Sequence, residues 1–355
     1  GAELVAERGP DGQLKLLATA TDDRNGGDLP PMDILEIVER WIAGDVDTKR
    51  LPDIRLETVT VTARVAGTGE VLWRGQAAAE LTLSGEEINI WAAIGLDRAR
   101  PEPPLRIAVA LVRDRGGDVT ANFTNAKLSG IAEAIGLLGL KLPPLSGRID
   151  GDLAFTFDAK LKPGALKANL SGAGLRGDFD GMERIAIERA DVELRADIPA
   201  RTLIISGFRI GGDRPILIGA GAVRPEAAGP EGGDVYQASG RLDHVDGAAL
   251  ARLLGLDDAL KGVSISAAAD FDVTVRDGAF VSAETRISGS GAFRHPDFYA
   301  EPLALSAASG FAAYDAATRT FSLSGLTGRL DGVAVAGEGR FGLTAAGAIE
   351  TASAF

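Results

Sequence analysis

Cysteine is absent from this chain of 355 residues. Disulfide bonds and a thiol nucleophile are therefore excluded. The absence does not identify a compartment, because cytosolic proteins and envelope proteins that avoid stray disulfides can both lack cysteine. Aromatic residues are also scarce, at 5% of the chain. We therefore expect an interior lined mainly by Val, Ile, Leu and Ala.

Basic residues are also fewer than acidic ones. The chain has 37 Lys and Arg and 50 Asp and Glu, which gives a net charge of −13. This balance argues against a nucleic-acid partner, because phosphate contacts need clustered Lys and Arg. No apolar run approaches the ~20 residues that span a bilayer as a helix. The opening residues, GAELVAERGP, lack the basic-then-apolar order of a signal peptide. Because neither end carries an obvious cap, we expect the chain to be a segment of a longer protein.

One stretch of nine residues occurs twice. ARTLIISGF (200–208) and TRTFSLSGL (318–326) share Arg, Thr, Ser and Gly 118 positions apart, and their apolar residues keep one parity. Three further pairs follow the same order at offsets of 117 or 118, namely 119–139 with 236–256, 170–174 with 287–291, and 215–224 with 333–342. Such order at a near-constant offset indicates a duplication. We predict repeat units at 119–235 and 236–355.

Short helices are predicted at equivalent places in these units. Each follows a helix N-cap residue, Ser129 or Asp246, and the helices cover 131–138 and 248–254. Residues 1–118 form a related N-terminal unit with a different interior, because helical spacing in MDILEIVERWIAG (32–44) predicts a helix that carries Trp41. All three tryptophans lie in this unit. We expect it to plug or cap one end.

Elsewhere apolar and polar residues alternate with a period of two, which is typical of strands with one buried face. Leu81 and Leu83 are predicted to pair with Ile88 and Ile90 in a hairpin across SGEE. The 46 glycines suit tight turns and strong curvature. The sequence therefore predicts a mostly-β fold, an extended and curled antiparallel sheet with short helices between the repeat units.

Motifs for catalysis or cofactor binding are not found. GAGLRG (172–177) and GEGRFG (337–342) fit the GxGxxG dinucleotide fingerprint, but that fingerprint needs a helix directly after it. The repeat also replaces Gly177 by Arg294, so we interpret these glycines as strand and turn residues. The only two histidines, His244 and His295, are not shared between the repeat units. We predict no catalytic residue, no metal, no cofactor and no enzymatic activity.

Several segments resemble the AsmA-like family, the YhdP-like branch in particular. They are AERGPDGQLKL (6–16), the helix at 32–44, LPDIRLETVTVTARVAGTGEVLWRG (51–75), LSGRIDGDLAFTF (145–157) and LKGVSISAAADFDVTV (260–275). The resemblance implies a repeating β-groove with an apolar interior. It also implies a periplasmic fragment of an inner-membrane-anchored envelope protein, which carries phospholipid between the inner and outer membranes.

A lipid-conducting groove would take phospholipid or another acyl-chain lipid as its partner and would reach the membranes through segments outside this chain. Its lining would come from apolar residues of one parity, with Thr202, Ile204, Thr320 and Ser322 facing outward. The candidate lipid-binding residues are Val59, Val61, Leu81, Leu83, Ile88, Ile90, Leu203, Ile205, Phe321 and Leu323.

A second interpretation remains open, because alternation shows that a face is buried without showing what buries it. The same pattern is typical of a closed β-sandwich or solenoid with a dry core. Such a protein would be a spacer or an assembly factor of the cell envelope rather than a lipid conduit.

Overall fold

Most of the described chain lies in β-strands. A computed structural model describes residues 2–8, 14–22, 27–28, 32–33, 40–41, 54–65, 67–95, 105–129, 145–160, 162–177, 185–226, 234–253, 263–277, 279–294, 301–343 and 349–354. The predicted class, a mostly-β fold built on an extended, curled antiparallel sheet, is confirmed. No helix of the described residues is long and apolar enough to cross a membrane.

The chain divides into two compact bodies, which we name the N-terminal body (Gly1–Phe179) and the C-terminal body (Asp180–Phe355). This boundary falls inside the predicted repeat unit 119–235. It does not test the repeat, because contact density and repetition are separate properties of a chain.

In the N-terminal body each strand from β5 to β11 pairs antiparallel with the next along the chain. The exception lies at the start, where β1 pairs antiparallel with β2 but parallel with β5. The strands are β1 (Ala2–Arg8), β2 (Leu14–Asp22), β3 (Gly27–Asp28), β4 (Met32–Asp33), β5 (Ile54–Val65), β6 (Val71–Ser84), β7 (Glu87–Gly95), β8 (Leu105–Val112), β9 (Gly116–Lys127), β10 (Leu145–Phe157) and β11 (Pro163–Gly177).

In the C-terminal body consecutive strands form one antiparallel ladder from β12 to β21. Pairing each strand with its neighbour in sequence satisfies the backbone groups through short connections. The strands are β12 (Ile185–Asp197), β13 (Thr202–Gly211), β14 (Pro215–Pro225), β15 (Val235–Asp246), β16 (Val263–Arg276), β17 (Ala279–Phe293), β18 (Leu303–Asp315), β19 (Thr320–Leu330), β20 (Val333–Leu343) and β21 (Ile349–Ala354).

One helix, α1 (Gly247–Leu253), has described bounds. It begins after Asp246, whose Oδ1 accepts a hydrogen bond from the Ala249 backbone N–H at 2.9 Å, as an N-cap residue does. The helix packs against β12, β14, β15 and β16. Most of the predicted helix at 131–138 lies outside the described residues. The predicted helix at 32–44 begins too early, because Met32 and Asp33 pair with β2 as strand β4, whereas Arg40 and Trp41 are helical.

Strand bounds recur along the chain at the predicted interval. Leu145 and Val263 begin β10 and β16, and the pairs β12 with β18 and β14 with β20 are likewise 118 residues apart. The turns recur as well, since Arg201 and Arg319 both adopt left-handed backbone angles, with φ of 52° and 49°. The two copies of the nine-residue stretch therefore form the same turn followed by the same strand start.

The N-terminal body contains a closed hydrophobic cluster. Leu81 pairs with Ile90 and Leu83 with Ile88, so the predicted hairpin is confirmed. Trp41, 1% exposed, packs on this hairpin together with Leu111. Its indole Nε1 donates to the Gly85 carbonyl oxygen at 3.4 Å, and the Arg113 guanidinium carbon lies 5.0 Å from the ring centre. One tryptophan thus seals the apolar side of this hairpin.

Replacing Trp41 should destabilise this body strongly. We expect Trp41→Ala to lower the free energy of unfolding by about 3–5 kcal/mol, because it empties a buried aromatic site. The matched control is Trp91→Ala, since Trp91 is 44% exposed and its loss should cost less than about 0.5 kcal/mol. Urea unfolding followed by circular dichroism measures both. Equal losses would contradict the assignment of Trp41 as the seal.

The contribution of the turn before β19 to the stability of the fold should depend on pH. Asp315 Oδ1 accepts the Thr318 backbone N–H at 2.8 Å and the Thr318 hydroxyl at 3.0 Å. The backbone bond first, and then the hydroxyl bond, lower the pKa of Asp315 below its ordinary value. The ionised form therefore stabilises the fold above that ordinary value, and the contribution disappears as the pH falls through the lowered pKa.

Accordingly, Asp315→Ala should lower the urea midpoint at pH 7, and the difference from the unmodified protein should shrink below about pH 4. Asp213→Ala is the control, because Asp213 is an exposed turn residue for whose carboxylate the described residues show no hydrogen bond. A deficit of the same size at both pH values would contradict a role for the Asp315 carboxylate.

Candidate functional site

Strand register places the apolar residues of the C-terminal body on one side of its ladder, which we name the apolar face. Directly paired residues in an antiparallel ladder share a side, so pairs can be followed from strand to strand. Row 1 runs through Leu203, Val223, Ala238, Val273, Ala283, Tyr314, Phe321 and Phe341. Row 2 runs through Ile205, Gly221, Gly240, Phe271, Thr285, Ala312, Leu323 and Gly339.

These rows connect the predicted residues of the two repeat units. Leu203 and Phe321 lie in row 1, and Ile205 and Leu323 lie in row 2. Six strand pairings separate β13 from β19, which corresponds to about 29 Å at ~4.8 Å per strand. Residues 118 positions apart in the chain thus belong to one continuous apolar strip.

Glycines in the strands make room for the large side chains of this face. A side chain at Gly240 would place its Cβ 2.7 Å from the Phe271 Cζ, and one at Gly219 would place it 3.0 Å from the Phe208 Cζ. The first contact is shorter than real Cβ atoms essentially ever show, and the second is tighter than nine in ten real Cβ contacts. A ring on one strand therefore lies across a glycine on the next, as aromatic residues do when they cover strand glycines.

The face deepens into a cleft of about 380 Å³ between β16 and β20. Its lining is apolar apart from a few hydroxyls, and Ser309 Oγ and Thr327 Oγ1 lie 3.0 Å apart and satisfy each other. The apolar lining includes Ile265, Ile287, Leu305, Leu323, Leu326 and Val335. A cleft with this lining suits a ligand that offers hydrocarbon rather than hydrogen bonds.

No second sheet of the described residues packs on the apolar face. In the described part of the C-terminal body, each strand contacts its ladder neighbours and, at four strands, α1. Large side chains of the face are accordingly left accessible, with Ile287 at 38%, Val335 at 41% and Val333 at 66% exposure. Leu203, Ile205, Phe321 and Leu323 are all half-buried. Contiguous accessible apolar surface of this kind is typical of interaction sites.

The opposite side of the same ladder is polar. Ion pairs join residues two apart on one strand, such as Arg189 with Asp191 at 3.0 Å and Arg241 with Asp243 at 2.8 Å. Ile204 lies on this side and is 46% exposed, as the alternation predicts. Exposed pairs of this kind contribute little to stability. They do make this side of the sheet compatible with water, so the two sides differ sharply in chemistry.

The predicted residues of the N-terminal body have a different environment. Ile88 is 0%, Val59 1% and Val61 9% exposed, and Leu81 and Leu83 are buried beneath Trp41 with Ile90 packed beside them. Five of the ten predicted residues are thus buried, Ile90 packs beside the Trp41 cluster, and four lie on the half-open apolar face. Their contact with lipid stays a prediction in both bodies.

Sequence alternation missed large residues of the apolar face because β13 and β19 contain bulges. Ladder register shifts at Ser206–Gly207 and again at Ser324–Gly325. An extra residue reverses the parity, so Phe208 and Leu326 point to the side that odd-numbered Ile205 and Leu323 already occupy. The repeated Ser-Gly pair was the available signal, since glycine inside a strand often marks a bulge.

Groups that could act in catalysis or bind a metal or nucleotide are sparse elsewhere in the described residues. The His244 Nε2 lies 3.1 Å from the Pro215 carbonyl oxygen, and His295 lies outside the described residues. No group of three or more His, Asp or Glu side chains in the described ranges could hold a metal ion. The glycines of the two GxGxxG stretches lie inside β11 and β20, as strand residues.

Comparison with family models, with curated proteins and with solved structures finds no match to this chain. The resemblance to the AsmA-like family therefore stays a prediction. The properties of the apolar face itself are what carry a functional proposal.

Adding a side chain to a glycine beneath one of these rings should lower the stability of the protein. We expect Gly240→Ala to destabilise the protein by about 1–3 kcal/mol, because the methyl group would overlap the Ala220 carbonyl oxygen, the Phe271 ring and the Gly221 Cα. Gly207→Ala is the control, because nothing lies within 4 Å of the position that its methyl group would take. It should be neutral or stabilising by up to about 1 kcal/mol. Thermal or urea unfolding distinguishes the two, and equal effects would contradict the close packing of Ala220, Gly221 and Phe271 around Gly240.

Proposed function

We propose that the C-terminal body binds the acyl chains of lipids along its apolar face, without catalysis. The observation that carries this proposal is a continuous apolar strip over consecutive strands with no second sheet on it in the described residues. Exposing a face of this kind to water is unfavourable, and covering it with hydrocarbon lowers the free energy of the system. Phospholipid, or another lipid with acyl chains, is the ligand class that fits.

The uniformity of the strip favours movement of the ligand over retention at one point. Burial of a methylene gains about 0.8 kcal/mol wherever apolar surface is offered. Row 1 offers Leu, Val, Ala, Tyr and Phe along its strands, and row 2 offers Ile, Phe, Ala and Leu between glycines and Thr285. A chain that slides along these rows exchanges one mainly apolar contact for another. We infer a conducting surface along the rows that includes the cleft between β16 and β20.

The resemblance to AsmA-like proteins extends this proposal to a cellular role. In that role the chain is a periplasmic segment of a bridge-like envelope protein that carries phospholipid between the inner and outer membranes. Contact with the membranes would be made by further segments of the protein. The amphipathic sheet supports this role because a conduit in an aqueous compartment needs one water-compatible side.

A second candidate is a non-enzymatic structural or assembly factor of the cell envelope with a closed, dry β core. The Trp41 cluster favours it, because Leu81, Leu83 and Ile88 are sealed by the protein's own tryptophan. If other protein segments covered the apolar face in the same way, the strip would be ordinary core.

Charged substitutions on the apolar face distinguish these functions. Ile205→Asp and Leu323→Asp, made separately, should leave the protein folded, because a half-open face lets water reach the new carboxylate. Each should remove bound lipid, because the carboxylate would interrupt the strip. Native mass spectrometry after gentle purification measures the lipid adducts, and circular dichroism measures the fold.

Ile204→Asp is the matched control, because this neighbour lies on the polar side and is 46% exposed. It should keep both the fold and the lipid adducts. The proposal fails if the unmodified protein shows a clean mass with no adducts of phospholipid mass. It also fails if Ile205→Asp and Leu323→Asp unfold, because a buried unpaired carboxylate costs several kcal/mol of a total near ~5–15 kcal/mol. Either result would favour the closed core.

A further inference from the structure

The two predicted repeat units carry side chains of different size where the second unit forms the cleft between β16 and β20. Phe208 pairs with Gly219 on the neighbouring strand of the first unit. The residues 118 positions further on, Leu326 and Gly337, make the same pair in the second unit. Three equivalent places carry smaller residues in the second unit, with Gly310, Leu326 and Gly328 in place of Val192, Phe208 and Ile210.

These smaller residues leave space above the strands of the second unit. In the first unit the Phe208 ring lies over Gly219, because a Cβ at Gly219 would stand 3.0 Å from the ring. In the second unit the shorter Leu326 side chain lies over Gly310, where an added Cβ would overlap the Leu326 Cδ2. Gly310, Leu326 and Gly328 all line the cleft of about 380 Å³. The differences between the two units thus fall together at the cleft.

The volume of the cleft suits one hydrocarbon chain. An apolar cavity of about 150 Å³ holds a benzene molecule. At the same volume per carbon, 380 Å³ holds roughly 15 carbon atoms, so two long acyl chains do not fit together. The cleft crosses the four strand pairings from β16 to β20, about 19 Å at ~4.8 Å per strand. A chain in the cleft therefore lies in the direction of rows 1 and 2.

The lining of the cleft offers hydrocarbon but nothing that would select a headgroup. None of the described residues that line it is charged. The Ser309 and Thr327 hydroxyls satisfy each other, so a phosphate or carboxylate gains no free partner there. Ile287 and Val335 of the lining are exposed, which leaves the cleft accessible from the side of the apolar face. Such a site holds the chain of a lipid and leaves the headgroup in water.

We propose that this cleft is the seat of one acyl chain of a phospholipid and that the small residues at 310, 326 and 328 create it. The proposal rests on the proposed function, since it names a resting point on the same apolar face. The second acyl chain of the lipid lies on the open rows outside the cleft. Leu326 is the specificity-determining residue, because a larger side chain at this position closes the seat.

Lysophosphatidylcholines test the seat on the full chain, because each presents a single acyl chain. Isothermal titration calorimetry below the concentration of micelle formation should show one site per protein chain. Each added methylene should tighten binding by up to about fourfold. This gain should end near roughly 15 carbon atoms, when the cleft is full. A gain that continues unchanged in longer chains would contradict a seat of this size.

Leu326→Phe is the decisive variant, because it gives the second unit the residue of the first. The variant should fold, since the new ring can lie over Gly337 as Phe208 lies over Gly219. Its affinity for a lysophosphatidylcholine that fills the cleft should fall at least about tenfold, because the ring occupies the space of several buried methylenes. Ala267→Leu narrows the cleft from β16 and should weaken binding in the same way.

Ile204→Phe is the matched control, because it adds a ring on the polar side of the ladder, and it should leave the affinity unchanged. Circular dichroism and the urea midpoint report whether each variant is folded. Lysophosphatidylglycerol should bind as tightly as lysophosphatidylcholine of the same chain length, because no charged residue lines the cleft. A strong preference for one headgroup would overturn the proposal.

The seat and the proposed function fail separately. Unchanged affinity in both Leu326→Phe and Ala267→Leu would overturn the seat, whereas the proposed function stands as long as the unmodified protein retains phospholipid adducts in native mass spectrometry. Loss of those adducts from the unmodified protein would overturn both. A dimer that Leu326→Phe abolishes, without binding of any lysophospholipid, would also overturn the seat and would identify a second copy of the chain as the occupant of the cleft.

Discussion

Backbone pairing between consecutive antiparallel strands is the constraint on which the rest of this protein depends. It fixes which residues share a side, and the sequence supplies apolar residues to one side and charged residues to the other. Row 1 links Leu203 to Phe321 through six consecutive pairings, and the bulges of these strands lie at other positions along them. A slip of one residue in a single strand would move its apolar set to the polar side and break the strip.

The main features of the fold could be predicted from the sequence because they are local. Alternation fixed the strands, and the SGEE turn fixed the Leu83–Ile88 pair. The recurring Arg-Thr and Ser-Gly pairs correspond to the left-handed turn residues Arg201 and Arg319 and to the bulges that follow them. Each of these is a property of a few neighbouring residues, where intrinsic preferences decide the structure.

Other features could not be predicted because they depend on distant residues. The parallel pairing of β1 with β5 joins segments with no shared local signal. Bulges reverse parity, so strict alternation placed Ile205 correctly but overlooked Phe208. Burial was the largest gap, since Leu83 and Leu203 both belong to alternating apolar stretches, yet Leu83 is sealed and Leu203 is half-buried. What covers a strand face is decided by a remote residue such as Trp41.

The contrast between the two bodies shows how one sheet design can serve either as core or as surface. In the N-terminal body a single indole, held by the Gly85 carbonyl and stacked beneath Arg113, turns an apolar hairpin into a dry cluster. In the C-terminal body the rings of neighbouring strands lie over glycines such as Gly219 and Gly240. These rings fill the space above the glycines but do not cover the face, which deepens into a cleft between β16 and β20. A sliding hydrocarbon chain meets these two places differently, because a filled gap offers contact on one side only and a cleft surrounds the chain with more apolar atoms.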